Sequence, residues 1–417
     1  MGHTILSIAS TSFFADYGAH VRIWEETRAL QKRGHRIVIA TYHNGDNMPG
    51  FDIRRSWDVP WVKRTMVGAS RHKLYLDVAL SWRALRVAWE IKPDIIHAHI
   101  HESALIGSVL SKLFNVPLVF DYQGSLTSEM LDHGFLRRDG VFYGPMRALE
   151  RRINGMADAV LTSSFNAANV LREEWNFPSE RLYTVPDSVN TDRFRPFDHS
   201  PDWAAERERI RESLGIPAGR KIVAYLGLLA AYQGTNVLLE AARLIAEQRQ
   251  DIHFLIMGYP DVRSYQALAD SLGVSEYVTL PGRILYKDAH AYLALGDLAV
   301  APKMSATEGA GKIPNYMAMG LPVVTFDTPV SREILGDAGV FARFGDPRSL
   351  ADEILRVIDQ PEWAARLATT VREKAVSEHS WALAACQIEA IYERVLAQRS
   401  GQPLPPFPTA LQQEQSG

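Results

Sequence analysis

Two doubly wound α/β domains facing each other across a cleft are what this sequence predicts, on three observations. Short apolar runs alternate with segments of helical period along almost the whole chain, the pattern of βαβ units and parallel sheets. At 417 residues the chain exceeds what one hydrophobic core fills, so two domains are expected. The alternation lapses once, between Arg195 and Trp203, where Pro196, Asp198, Pro201 and Asp202 suit an interdomain linker, and then restarts.

In the first half, residues 5–9 read as a buried strand, followed by a loop over 11–18 and a helix. That helix aligns Ala19, Ile23, Thr27 and Leu30 on one face and stops at Gly34 after Lys32 and Arg33. Residues 36–42 are the next strand, and strand, helix, strand implies a right-handed crossover. Then follow a helix over 74–90, strand 94–98, helix 102–114, strand 117–121 and a long polar loop over 122–140. A helix with Met146, Leu149, Ile153 and Met156 on one face, strand 159–162, helix 166–175 and strand 182–185 complete the half. Loops at the carboxyl ends of such strands form the ligand crevice, and here they carry Gly18, His99, Gln123 and Ser163.

The second half restarts with strand 222–226 and helix 235–247, on which Leu238, Ala241, Leu244 and Ile245 share a face. Strands are expected at 252–257, 277–280, 298–301 and 322–326, and helices at 347–359, 362–377 and 381–398. From Gly401 the chain turns proline- and glutamine-rich, the composition of a disordered tail. Between the last two strands lies a loop with Glu308, Gly309 and Gly311 that opens a helix over 312–319. A glycine-flanked loop at a helix start leaves backbone N–H groups free to hold a phosphate or other anion; the plainer reading is an ordinary tight connection.

Composition narrows the function. With 47% hydrophobic and 22% charged residues the chain is globular, and a net charge of -3 argues against a general nucleic-acid binder. The single cysteine, Cys386, excludes an intramolecular disulfide and a cysteine-built zinc site. The first residues run straight into a strand without a signal-peptide pattern, so a cytoplasmic protein is expected. Arg54, Arg55, Lys63, Arg64, Arg71 and Lys73 interleave with Trp57, Trp61 and Met66. This mixture fits either peripheral contact with an anionic membrane or a solvated surface with inward tryptophans. His97, His99 and His101 alternate at a strand end; a metal trio would want a matched carboxylate or cysteine, so no metal is expected.

Several stretches resemble glycosyltransferase family 4, retaining enzymes of the GT-B fold, over nearly the full length. They are Gly18 with its helix ending Lys32-Arg-Gly-His35, then Asp94-Ile-Ile-His-Ala-His99, and Val185-Pro-Asp-Ser-Val-Asn-Thr-Asp-Arg-Phe194. The loop from Gly227 to Gly234 is another, and the most specific is the segment from Lys312 ending Met-Ala-Met-Gly-Leu-Pro-Val-Val. The resemblance implies an acceptor-binding Rossmann-like domain over 1–197 and a nucleotide-sugar-binding one over 198–379. It implies a helix over 380–400 crossing back to the first domain, and 401–417 are left as the tail. It further implies transfer from a UDP- or GDP-sugar to a saccharide, lipid-linked or small glycoside acceptor, without metal or other cofactor.

Residue by residue, the resemblance places Gly18, Gly227, Gln233, Gly258, Gly282, Arg283, Gly309, Gly311, Lys312 and Asn315 at the donor, and His99, Gln123, Asp121 and Glu308 near the reacting sugar. The match departs from the family's pattern in four places. Leu228 and Gln233 stand where an arginine and a lysine usually serve the diphosphate, for which Lys312, Lys303 or Arg283 would have to compensate. Asn315 replaces the second of two glutamates, with Glu308 one position out of register. Gln123 replaces a histidine and cannot act as a base, leaving Asp121 as the ionisable candidate there. Two alternatives therefore stand beside the transferase: a non-catalytic binding relative and a nucleotide-sugar 2-epimerase-like isomerase.

Overall fold

The computed structural model describes residues 2–15, 18–59, 73–132, 134–196, 201–304 and 309–407. The first half forms a seven-stranded sheet of β1 (Thr4–Ala9), β2 (Arg36–Thr41), β3 (Asp52–Arg55), β4 (Ile95–His99), β5 (Leu118–Tyr122), β6 (Ala159–Thr162) and β7 (Leu182–Thr184), in the order β3-β2-β1-β4-β5-β6-β7. The second is six-stranded: β8 (Lys221–Leu226), β9 (Ile252–Met257), β10 (Val278–Gly282), β11 (Leu298–Ala301), β12 (Val323–Phe326) and β13 (Val340–Ala342), ordered β10-β9-β8-β11-β12-β13. Every pairing is parallel. The central strands are buried along almost their whole length because helices cover both faces, which is why they read as unbroken apolar runs.

Strand order reverses between β1 and β4 in the first sheet and between β8 and β11 in the second, and at such a switch point neighbouring loops diverge and open a crevice. The register sets Ala9 beside His99 and His99 beside Asp121, so two expected site positions, His99 and Asp121, share one level at the carboxyl edge.

The halves are held together by one continuous apolar cluster. It includes Trp24 of the helix Gly18–Lys32, Phe194 beyond β7, Tyr286 and Tyr316 of the second half, and Trp381 and Tyr392 of the last helix. Trp24 meets Tyr286 edge to face at 5.2 Å. That last helix, Trp381–Ser400, starts on Ser380, whose hydroxyl caps the Leu383 N–H, and ends at Gly401 in the left-handed conformation. It lies on the helix Gly18–Lys32 of the first half, with Ile388 and Ile391 fully buried, worth about 1.5–3 kcal/mol each. The Tyr392 hydroxyl meets His97 Nδ1 at 2.6 Å, so the expected return to the first domain is present. Where the chain crosses out and back, Val189 N–H donates to the His379 carbonyl at 2.8 Å.

Several expectations are corrected. The polar loop over 122–140 contains a helix, Leu126–Asp132. The basic stretch opens as the half-exposed edge strand β3, and its residues 60–72 lie outside the described residues. A helix, Pro201–Ser213, begins inside the expected linker, while the boundary placed between 197 and 198 falls outside the description. The tail is packed as far as 407: Phe407 lies 5.4 Å from Tyr183, and Arg394 donates to the Pro405 carbonyl at 2.6 Å.

Candidate active site

A cavity of about 380 Å³ opens between the carboxyl edges of the two sheets. Gly18, His99, Gln123, Gly227, Gln233, Gly258, Gly309, Gly311, Lys312 and Asn315 all line it, so the structure brings together ten of the fourteen residues singled out. Asp121 lies behind its wall. Gly282 ends β10, and its carbonyl accepts from the Gly258 N–H at 2.9 Å without reaching the cavity. Arg283 stands at the rim, its guanidinium 5.5 Å from the Tyr259 ring and 3.8 Å from the Asp46 carboxylate of the first half. Glu308 lies outside the described residues.

Lys312 is the first residue of the helix Lys312–Ala318, which at seven residues is too short for its dipole to dominate. Its ammonium reaches across to the loop after β8. There it donates to Gln233 Oε1 at 2.8 Å and the Tyr225 hydroxyl at 3.2 Å, and lies 4.4 Å from the Tyr225 ring. A Cβ on Gly227 would come within 2.7 Å of Lys312 Nζ, so only glycine leaves room for this crossing. The cation missing from Leu228 and Gln233 therefore reappears in space at the same loop, carried by a residue far along the chain. Lys303 also lines the cavity and donates to the Gly309 carbonyl.

The wall from the first half is built on ion pairs. Arg22, buried on the helix after Gly18, donates to both Asp121 oxygens at 3.0 to 3.2 Å and to Asp187 Oδ1 at 3.1 Å. Asp121 also pairs with His99 Nδ1 at 3.1 Å and accepts from Gln123 Nε2 at 2.8 Å. Burial alone would raise the Asp121 carboxyl, but Arg22 and His99 outweigh it and hold it well below the usual carboxylate range. Burial likewise works against the Arg22 charge, and the two aspartates overcome it. Asp121 is thus a fully paired structural anion, which corrects its candidacy as a base. His99 has its second nitrogen on Ser7 Oγ at 3.2 Å, so both ring nitrogens face protein partners.

Glu26, His97 and His99 bring three potential metal ligands within 4.8 Å of one another, all buried. Some of their atoms are already shared internally, His97 Nδ1 with Tyr392 and Glu26 and both His99 nitrogens with Asp121 and Ser7, while His97 Nε2 and Glu26 Oε2 are buried without a hydrogen-bond partner among the described residues. His101 departs from its two neighbours and lies 3.7 Å from Glu150.

Against this geometry, two family models match: Glycosyl transferase 4-like domain over residues 17–187 and Glycosyl transferases group 1 over residues 206–374. The chain belongs to the GT4-type glycosyltransferases. The matched segments take in all six strands of the second sheet and six of the seven of the first, β1 lying ahead of residue 17, so most of both walls of the cavity falls within the family. Among similar proteins, an alpha-D-kanosaminyltransferase of Streptomyces kanamyceticus is 27% identical over 307 residues, covering 72% of this chain and 77% of the relative. A D-inositol 3-phosphate glycosyltransferase of Nocardiopsis dassonvillei is 24% identical over 407 residues, covering 92% and 91%. In fold, sucrose-phosphate synthase from Thermosynechococcus elongatus superposes with a TM-score of 0.79 at 20% identity, over 95% of this chain and 100% of that one. Anabaena HepE in complex with UDP-glucose gives 0.73 at 16% identity, over 93% and 98%. The GT-B architecture and glycosyl transfer from a nucleotide sugar follow for this glycosyltransferase.

Sequence reasoning missed Arg22 and Tyr225, and missed that Asp187, at the cleft, pairs with Arg22. Arg22 looks like a surface cation on an amphipathic helix, and its two carboxylate partners lie 99 and 165 residues away.

Proposed function

We propose that this glycosyltransferase takes its sugar from a UDP- or GDP-sugar whose diphosphate lies against Lys312 and Gln233, with retention and without a divalent cation. The acceptor approaches from the first sheet. As the acceptor oxygen bonds to the anomeric carbon, the bond from that carbon to the phosphate oxygen breaks, and the released diphosphate takes the acceptor proton. No described carboxylate is then needed as a base, which agrees with Asp121 being held by Arg22 and with glutamine at position 123. Lys312 offsets the charge building on the leaving group, the task a metal ion performs in other transferases.

The observation that carries this reading is the Lys312 ammonium at the Gly227 loop. It also bears on two of the four departures behind the non-catalytic alternative, Leu228 and Gln233, leaving Asn315 and Gln123 as its remaining basis. Calorimetric titration of nucleoside diphosphates with and without EDTA tests it: one base should bind equally in both, and Lys312→Ala should weaken binding. Binding that requires magnesium, or is indifferent to Lys312, sinks the reading.

A lipid-linked acceptor or peripheral membrane contact is the finer part of the proposal. No described helix is long and apolar enough to cross a membrane. The helix Lys73–Ile91 nonetheless exposes Leu74, Tyr75, Val78, Trp82 and Trp89, beside Val109 and Leu113 of the helix Ile100–Phe114 packed against it. A contiguous apolar face with aromatic rings suits the interfacial layer of a bilayer. Co-sedimentation with phosphatidylglycerol vesicles should retain the wild type and lose Trp82→Ser/Trp89→Ser. Equal recovery of both in the supernatant removes the membrane from the account.

A further inference from the structure

Gly309 is held from both sides of the cleft. Its carbonyl accepts from the Lys303 ammonium of its own half, and its Cα faces Asp187 and Ser163 of the other. A Cβ at position 309 would stand 2.5 Å from Asp187 Oδ2 and 2.9 Å from Ser163 Oγ, and one at 311 would stand 3.5 Å from the same carboxylate oxygen. The two glycines thus let the start of the helix Lys312–Ala318 lie directly against the wall of the first half.

Asp187 is itself fixed on three sides. Its Oδ1 accepts from Arg22 Nη1 at 3.1 Å, its backbone N–H donates to the Ser163 carbonyl at 3.3 Å, and its carbonyl accepts from His379 Nδ1 at 3.2 Å, where the chain returns from the second half. Burial raises its carboxyl above the ordinary value, while Arg22 and then Lys303 work against that shift. The ammonium that holds the Gly309 carbonyl therefore also lies in the field of Asp187. Charges alternate from Asp121 through Arg22 and Asp187 to Lys303, leading from the first sheet to the glycine loop of the second.

The geometry points to Asp187 as a positioning residue for the donor: from across the cleft it fixes Gly309 and Gly311, so that the helix start bearing Lys312 is in place before a nucleotide arrives. Resting on the proposed placement of the diphosphate beside Lys312, this gives the first half, otherwise the acceptor's, a share in donor affinity. Order set in advance raises affinity because binding no longer has to impose it. Lys303 then serves the loop rather than the diphosphate.

Asp187→Asn tests this, since it keeps an oxygen for Arg22 and removes the charge facing Lys303 and Gly309. In hydrogen–deuterium exchange of the full chain without nucleotide, peptides covering 309–319 should exchange roughly threefold faster or more in the variant, while peptides from β8 and β9 keep wild-type rates. By calorimetry the preferred nucleoside diphosphate should bind roughly 3- to 10-fold more weakly. Gly309→Ala perturbs the same contact from the other half without altering a charge and should give both changes. The double variant should bind no more weakly than the weaker single one, because both substitutions remove one contact. Exchange over 309–319 that is unchanged in both single variants, or quickened alike throughout both halves, overturns the inference whether or not a nucleotide binds. Wild-type nucleotide affinity in a variant whose loop exchange has quickened overturns it too. Absence of nucleotide binding by the wild type defeats the donor reading instead, and the nucleotide-free exchange does not depend on it.

Discussion

A methyl group on Gly227 tests the placement of Lys312 without touching Lys312 itself. The added carbon would lie 2.7 Å from Nζ, closer than carbon tolerates, and a tight 3.1 Å from Cε and from the buried Tyr225 hydroxyl, and the nearest atoms to yield are the far end of the flexible Lys312 side chain. Gly227→Ala should therefore push the ammonium away from Gln233 while costing the fold no more than about 0.5 kcal/mol, as for changes outside a strained or tightly packed core. A charge-assisted bond to a diphosphate is worth about 1.5–3 kcal/mol. At about 1.4 kcal/mol per factor of ten, affinity should fall roughly 10- to 150-fold. Isothermal titration of the preferred nucleoside diphosphate into Gly227→Ala, Lys312→Ala and the double variant reads this directly. The double variant should be no weaker than Lys312→Ala alone, because both changes remove one contact. Full affinity in Gly227→Ala with an unaltered melting temperature would refute the assignment of the ammonium to the diphosphate.

Three further outcomes follow from the buried wall. Arg22→Met leaves Asp121 and Asp187 without their cation and should cost about 3–5 kcal/mol in urea denaturation at pH 7. Glu26 has its carboxyl pushed up to about 7, chiefly by burial, from an ordinary 4.5. The folded chain thus binds that proton more tightly than the unfolded one, and the stability it brings is full below about pH 4.5 and lost as pH rises through 7. Glu26→Gln should flatten the fall in stability between pH 4.5 and 8 by an amount on the order of 3 kcal/mol, and parallel curves would count against it. Tyr392→Phe removes the hydroxyl bonded to His97 Nδ1 and should lower stability by about 1 kcal/mol in the same assay, with no change in nucleotide affinity.

Much of the architecture was legible in the sequence, because central parallel strands buried on both faces must be apolar runs, and twelve-residue stretches such as Thr235–Ala246 carry their period openly. What escaped was short or polar. β3, Asp-Ile-Arg-Arg, is an edge strand with every residue half-exposed, and β13 has three residues; neither holds enough pattern to be recognised. Of the site, the glycines and Lys312 were legible because loop position follows from the alternation of elements. Pairing was not. The role of Asp121 is decided by Arg22, and that of Gln233 by Lys312, through contacts spanning 99 and 79 residues that no local spacing encodes. The helix Gly18–Lys32 hides Arg22, Glu25 and Glu26 because the last helix of the chain covers what would otherwise be its solvent face.

The account turns on a donor site whose cation has moved from the β8 loop to Lys312. Its most direct test is calorimetry of UDP, GDP and ADP binding to the wild type in EDTA. One of UDP and GDP should bind with a dissociation constant in the micromolar range, about 8 kcal/mol, and lose at least tenfold in Lys312→Ala. Absence of binding by all three, or binding that survives the loss of Lys312 intact, would contradict it.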